Sequence, residues 1–428
     1  MKALLARAAY ALLLRLATPV YFARLWWRGR HEPLYRAAWN ERLGGFDGAP
    51  GTGRLWLHAV SLGETRAAEP LVAALRAQRP GLRLLLTHGT ATGREAGTAL
   101  LQDGDLQVWL PYDTPGAVRR FLRRHRPLAG VVMETEVWPA LLAAAQRERV
   151  PVVLANARLS DKSLAQGRRF AALLRPAAAA FTRVLAQTAD DAGRLRAAGA
   201  GDVRVFGNLK FDMTPAPALL ARGRDWRAAL RRPVVLAAAT REGEEAPLLV
   251  AWSALPAPRP LLLLVPRHPQ RFDDVAALVA THGHTLARRS TWGDTPPDNV
   301  ATADVWLGDS MREMPLYYAA ADVALLGGSF APLGGQNLIE AAACGCPLLM
   351  GPHTFNFAQA AELALAAGAA RRVDDITAGV QQAATLAVTP AGAAECSAMA
   401  ERALAFAAQH RGAAARMARE IVALLPPE

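Results

Sequence analysis

From residue 55 onward, short apolar runs alternate with Ala- and Arg-rich amphipathic stretches, and this alternation constrains the fold more than any other feature. In the first half the runs fall at residues 55–60, 82–87, 108–111, 130–133, 151–155, 184–186 and 203–206. They read as βαβ units around a parallel sheet, because parallel strands are covered on both faces and so are apolar throughout. Residues 208–217 interrupt the rhythm with Thr214-Pro215-Ala216-Pro217, a hinge. It resumes at 233–239, 260–265, 305–308, 323–327 and 347–350. The expected class is α/β, with two Rossmann-like halves of similar size. The apolar fraction of 52% and charged fraction of 20% supply material for two cores and exclude a disordered chain.

The formal charge is +12, from 49 Lys and Arg against 37 Asp and Glu. A basic balance suits nucleic acid, a membrane surface or an anionic substrate. No Arg-rich block interleaved with aromatics and no nucleic-acid module signature appears. Half the net charge lies in residues 1–42, where Lys2, Arg7, Arg15, Arg24, Arg28, Arg30, Arg36 and Arg42 face only Glu32 and Glu41. Residues 1–27 are apolar but broken by Arg7, Arg15, Arg24 and Pro19. That pattern falls short of a clean spanning helix and suits one lying at the headgroup level, or a poor signal anchor. A core helix of the first domain is the competing reading. The three cysteines, Cys344, Cys346 and Cys396, give no disulfide framework and suggest a reducing compartment. Asp103-Gly104-Asp105 has a D-x-D spacing but reads as a polar turn, so no metal site is expected.

Open parallel sheets bind ligands beyond the carboxyl ends of their strands. His58-Ala59-Val60-Ser61-Leu62-Gly63-Glu64-Thr65 follows one strand and opens a helix. Glu64 is there either a helix-start carboxylate or a general base. Thr87-His88-Gly89-Thr90-Ala91-Thr92-Gly93 is either an anion site or a plain capped loop. Met133-Glu134-Thr135-Glu136-Val137-Trp138-Pro139 places two carboxylates at a strand end, and one of a half-buried pair would have a raised pKa. Asn156, Arg158 and Ser160 follow another strand. Lys210, one of three lysines in a chain that otherwise uses arginine, lies at the hinge and suits a phosphate or carboxylate in a tight place. In the second half, Arg267 and His268 end a strand between two prolines, and Gly308-Asp309-Ser310-Met311-Arg312-Glu313 opens a helix. The glycine-rich 327–335 segment meets a helix bearing Asn337 and Glu340, a geometry that suits a phosphate and a ribose.

Taken in order, these motifs resemble those of the 3-deoxy-D-manno-octulosonic acid (Kdo) transferases of lipopolysaccharide synthesis. The likeness includes Trp39-Asn40-Glu41-Arg42-Leu43-Gly44, Leu110-Pro111-Tyr112-Asp113 and Met350-Gly351-Pro352-His353, and runs over about the whole chain. It implies a GT-B fold, two Rossmann-like domains facing across a cleft with an N-terminal membrane-associating helix. The expected divisions are 1–30 for the helix, 31–210 for an acceptor-binding domain and 211–428 for a nucleotide domain. The resemblance further implies transfer of Kdo from CMP-Kdo to the lipid A precursor, lipid IVA, at the cytoplasmic face of the inner membrane, with no cofactor and no metal. Glu64 is then the general base, and Glu134 and Lys210 assist the transition state. CMP would be held by Arg267, His268, Ser310, Met311, Arg312, Glu313, Asn337, Leu338, Ile339 and Glu340. The expected partners are CMP-Kdo, the lipid A precursor and an anionic membrane surface, not nucleic acid. A single plausible base with no covalent nucleophile opposite it points to inversion by single displacement. Rival readings are a UDP-sugar transferase or epimerase of the same fold, and a non-catalytic membrane-surface or nucleic-acid binding protein.

Overall fold

The structure is a computed structural model and describes residues 1–48, 50–297 and 300–427. The chain forms two compact units, Met1–Met213 with Arg411–Glu428, and Thr214–His410. The first holds a sheet of seven strands: β1 (Leu55–His58), β2 (Leu84–His88), β3 (Leu106–Trp109), β4 (Ala129–Met133), β5 (Val152–Ala157), β6 (Arg183–Ala186) and β7 (Val203–Val205). All pair in parallel, in the order β3-β2-β1-β4-β5-β6-β7. The second repeats the plan with β8 (Val234–Thr240), β9 (Leu261–Pro266), β10 (Leu286–Arg288), β11 (Val305–Leu307), β12 (Val323–Leu326), β13 (Leu348–Met350) and β14 (Ala370–Arg372), ordered β10-β11-β9-β8-β12-β13-β14.

Side chains alternate across each strand, so both faces of a covered sheet need apolar residues. Leu55 and Leu57 join one core with Leu71 and Leu75, whereas Trp56 between them joins the opposite core with Phe121 and Leu122. In the second unit Val235 and Ala237 pack with Leu248, Trp252, Val275 and Val380. The seven runs read in the first half and the five read in the second all become strands. The edge strands β10 and β14 were not anticipated, since each is three residues long and carries arginine. Short, charged edges are how sheets avoid pairing with other chains.

Each sheet reverses its strand order beside its first strand, between β1 and β4 and between β8 and β12. Loops leaving such a pair part company, so a crevice opens at the carboxyl ends of those two strands.

The last segment departs from the sequence division at 211–428. The helix Ala413–Val422 belongs to the first unit, where Ala413, Ala414, Met417, Ala418 and Ile421 join the core containing Leu71 and Leu75. These positions form one apolar helix face, which has to be covered. Asp212 secures the return, accepting the backbone amides of Gly412 and of Ala414, the latter at 2.7 Å.

The N-terminal helix, Lys2–Arg28, has no buried residue, which argues against the core-helix reading. It is long and apolar enough to cross a membrane, with a mean hydropathy of 1.4 over its most apolar window. One stripe rests on the body, where Tyr21 stacks on Tyr112 at 5.4 Å and Phe22 lies 5.2 Å from Trp39. Leu5, Leu12, Leu13, Leu16 and Val20 point outward and are exposed. Beyond Trp26 the chain is cationic, with Arg30 and Arg36 each 5.0 Å from the Trp26 ring.

Candidate active site

Glu64 stands at the strand-order reversal of the first unit. Ser61 caps the helix Leu62–Gln78 by accepting the Glu64 amide. In return Glu64 Oε2 accepts the Val60 amide at 2.7 Å, and Oε1 accepts the Ser61 hydroxyl at 3.3 Å. This reciprocal capping box folds the carboxylate back over the end of β1. The turn after β2 braces it, since the amides of Gly89 and Thr90 both donate to Val60 O, at 3.1 and 3.0 Å. Thr90 caps its own helix by accepting the Gly93 amide at 3.2 Å, so 87–93 serves as a capped loop. A Cβ on Gly93 would lie 3.0 Å from Ser61 C and Val60 O, tight enough that the two turns would have to part slightly to admit one.

Glu134 follows β4 with φ +57°, a left-handed conformation that costs a non-glycine residue about 1 kcal/mol. Its amide extends the ladder by donating to Ala155 O at 2.9 Å. Its buried side chain receives both Nε and Nη2 of Arg158 on Oε2 at 2.9 Å. Asn156, also at positive φ, sits in a bulge of β5 and is fully buried. Its Oδ1 accepts the Leu209 amide at 3.1 Å, which fixes the short helix Leu209–Asp212 carrying Lys210.

Burial comes first among the forces on this group. It pushes the Glu64 carboxyl up to about 7, against the Val60 hydrogen bond and aided by the charges of Glu136 and Glu134. Burial and then Glu134 also raise Glu136. Burial lowers the Lys210 ammonium, with Glu134 opposing and Arg158 reinforcing the shift. Glu64, Glu134, Glu136, Arg158 and Lys210 therefore feel one another in a partly desolvated site. A carboxyl titrating near neutrality can accept a proton from an attacking hydroxyl.

In the second unit the reversal lies between β8 and β12. Glu244, which the sequence did not single out, is 2% exposed and ties the two loops together. It accepts the amides of Arg241 at 2.9 Å, Gly328 at 2.7 Å, Phe330 at 3.1 Å and Ala331 at 3.2 Å. The only cue was a Glu-rich turn after an apolar run, and three of its four partners lie some eighty residues away. Glu245, also buried, accepts from Thr240 Oγ1 at 2.9 Å and from Arg271 at 2.6 Å.

The expected donor residues sort by environment. The Arg267 amide bonds Thr240 O at 2.9 Å, and the His268 side chain is exposed. Partial burial, and then the charges of Arg241, Arg267 and Arg271, hold its imidazole below the ordinary value. Met311 and Arg312 are exposed, with Arg312 at φ +66°. Glu313 accepts from Ser310 Oγ at 2.6 Å, Arg222 at 2.7 Å and Arg289 at 2.9 Å. Burial pushes its carboxyl upward, but the Ser310 and Arg289 hydrogen bonds outweigh that and hold it low. Asn337 caps the helix Leu338–Ala343 by accepting the Ile339 amide at 3.2 Å. The side chains of Leu338 and Ile339 are buried in the core, which leaves only their backbone to meet a ligand, and Glu340 lies part-buried. Among the described residues no group of three or more His, Cys, Asp or Glu is placed to hold a metal, and Asp105 instead accepts the Leu84 and Gln102 amides in its turn.

Residues 37–213 match the family model described as 3-Deoxy-D-manno-octulosonic-acid transferase (kdotransferase). The chain is 50% identical over 424 residues to the 3-deoxy-D-manno-octulosonic acid transferase of Bordetella pertussis, covering 96% of this chain and 97% of that protein. It is 36% identical over 361 residues to that of Haemophilus influenzae, covering 82% and 83%. Among solved structures, Anabaena HepE in complex with UDP-glucose aligns over 87% of this chain and 100% of that one, with a TM-score of 0.56 at 15% identity. That likeness bears on the fold alone and places the chain among GT-B architectures.

Proposed function

We propose a reaction for this chain from one premise: it belongs to the Kdo transferase family and is a glycosyltransferase of lipopolysaccharide synthesis. The donor is CMP-Kdo and the acceptor is the lipid A precursor, lipid IVA. The acceptor hydroxyl oxygen attacks the anomeric carbon of Kdo as the bond from that carbon to the CMP phosphate oxygen breaks. The hydroxyl proton passes to Glu64, and CMP departs. One displacement inverts the anomeric configuration.

The observation that carries this reading is the Glu64 carboxyl, folded back at the strand-order reversal and raised to about 7 by burial. Glu134 and Lys210 assist by charge: the carboxylate suits developing positive character at the anomeric carbon, and the ammonium suits the Kdo carboxylate. CMP leaves as a monophosphate, whose charge Arg267, His268 and the amides preceding Asn337–Glu340 are suited to take without a metal. Ser310, Met311, Arg312 and Glu313 complete the donor contacts, with Glu313 orienting Ser310. The N-terminal helix, apolar outward and basic at its end, supports association with the cytoplasmic face of the inner membrane, either lying on it or spanning it once.

The test is incubation with CMP-Kdo and lipid A precursor, counting added sugars by mass, for the natural chain and Glu64→Gln. Product from the former and none from the latter supports the assignment. A trapped Kdo–enzyme adduct would overturn single displacement.

A further inference from the structure

Within the first unit, residues of the N-terminal helix and of the helices Pro115–His125 and Pro139–Arg147 line a pocket of about 120 Å³. That is room for roughly four waters at their liquid volume. Three arginines contribute to its lining, Arg7 part-buried and Arg119 and Arg147 exposed. No ion-pair or hydrogen-bond partner is recorded for any of the three among the described residues. The one acid in the lining, Glu148, already pairs with Arg123 at 3.3 Å. Ala140, Ala143 and Ala144 give the wall an apolar lining.

Three cations over small apolar residues form a site for an anionic group attached to something greasy. Free phosphate would not need the alanine wall, and a neutral lipid would not need the arginines. The pocket also adjoins the helix whose outer face exposes Leu5, Leu12 and Leu13. We propose that this pocket holds the phosphate headgroup of one anionic bilayer glycerophospholipid, its chains running along the apolar face of the helix. The inference rests on the membrane-surface reading above. It turns diffuse attraction into a discrete site that sets how the helix seats on the bilayer. The Arg fork matches a phosphate's oxygens, which a spread of surface charge does not.

The full-length protein in neutral detergent should form a saturable one-to-one complex with short-chain phosphatidylglycerol, visible by native mass spectrometry. Arg119→Gln/Arg147→Gln should lose it. Arg168→Gln/Arg169→Gln removes the same charge from likewise exposed positions just before the helix Ala171–Ala178, which packs on the N-terminal helix, and should retain it. Ala143→Trp fills the pocket without altering charge and should also lose it. Retention in the Arg119/Arg147 pair or in Ala143→Trp, equal loss in the Arg168/Arg169 pair, or equal competition by inorganic phosphate would overturn the proposal. Vesicles of phosphatidylcholine with and without phosphatidylglycerol separate it from its premise. A chain that binds neither defeats both readings. A chain that binds the anionic vesicles but forms no one-to-one complex defeats the discrete site alone. Kdo transfer is scored separately.

Discussion

Glu64 accepts the backbone amide of Val60 at 2.7 Å, so the proposed base is held by the turn that precedes its own helix. That hydrogen bond favours the charged form, yet burial wins and the carboxyl rises to about 7. Turnover should therefore fall about tenfold per pH unit below 7, as the base becomes protonated. The sign for stability is the reverse. A carboxyl raised in the folded state stabilises fully below its unfolded value and loses that contribution as pH rises through about 7. Relative to the natural chain, Glu64→Gln should gain stability above neutrality and none in acid, as urea unfolding in the two ranges would show.

Loss of the base should leave donor binding alone. Glu64→Gln keeps the shape of the capping box and is expected to lower kcat by about 10²–10⁴-fold. CMP binding by calorimetry should be unchanged. Near-normal turnover would remove Glu64 from the reaction.

Arg158 holds Glu134 where the backbone is left-handed, but the arginine side chain is 52% exposed against 9% for the glutamate. Solvent screens the pair from one side. Arg158→Ala should therefore cost about 1–2 kcal/mol, short of what a sealed ion pair loses. A double-mutant cycle with Glu134→Gln should give a coupling of about 1 kcal/mol.

Glu244 accepts four amides, three of them from the loop after β12. Glu244→Ala should destabilise the second unit by about 3–5 kcal/mol, since those amides lose a charged acceptor. CMP binding should weaken with it, because the same loop leads to Asn337. An unchanged thermal midpoint would contradict the bracing role.

Asp212 caps the returning helix Ala413–Val422. Asp212→Ala should cost about 1 kcal/mol, typical of a lost cap. Hydrogen exchange should quicken first in that helix and not in the strands.

Apart from the short charged edges β10 and β14, the strands of both sheets were legible because parallel strands buried on two faces are apolar runs, and runs of that kind are visible in sequence. Glu64 and Glu134 were legible for a related reason: each lies within a few residues of such a run, so the strand end locates it. Glu244 was not, because its role is to accept backbone amides from residues far along the chain, and amides carry no residue identity. Leu338 and Ile339 entered the expected donor set with Asn337 and Glu340 as one segment that the resemblance implied, whereas a helix turns neighbouring side chains in different directions and theirs face the core. The return of Ala413–Val422 was hidden because its apolar face states only that something covers it, not which core.

That return makes the second unit an insertion within the first. During synthesis the core around Leu71 and Leu75 must wait for the last residues of the chain. At ordinary translation rates, some two hundred intervening residues mean a delay of roughly 10–40 s. Over that interval the inserted unit can finish folding while its host stays incomplete. The apolar helix at the amino end has by then long since emerged, so under the proposed membrane association the chain would meet the bilayer before its first unit is closed.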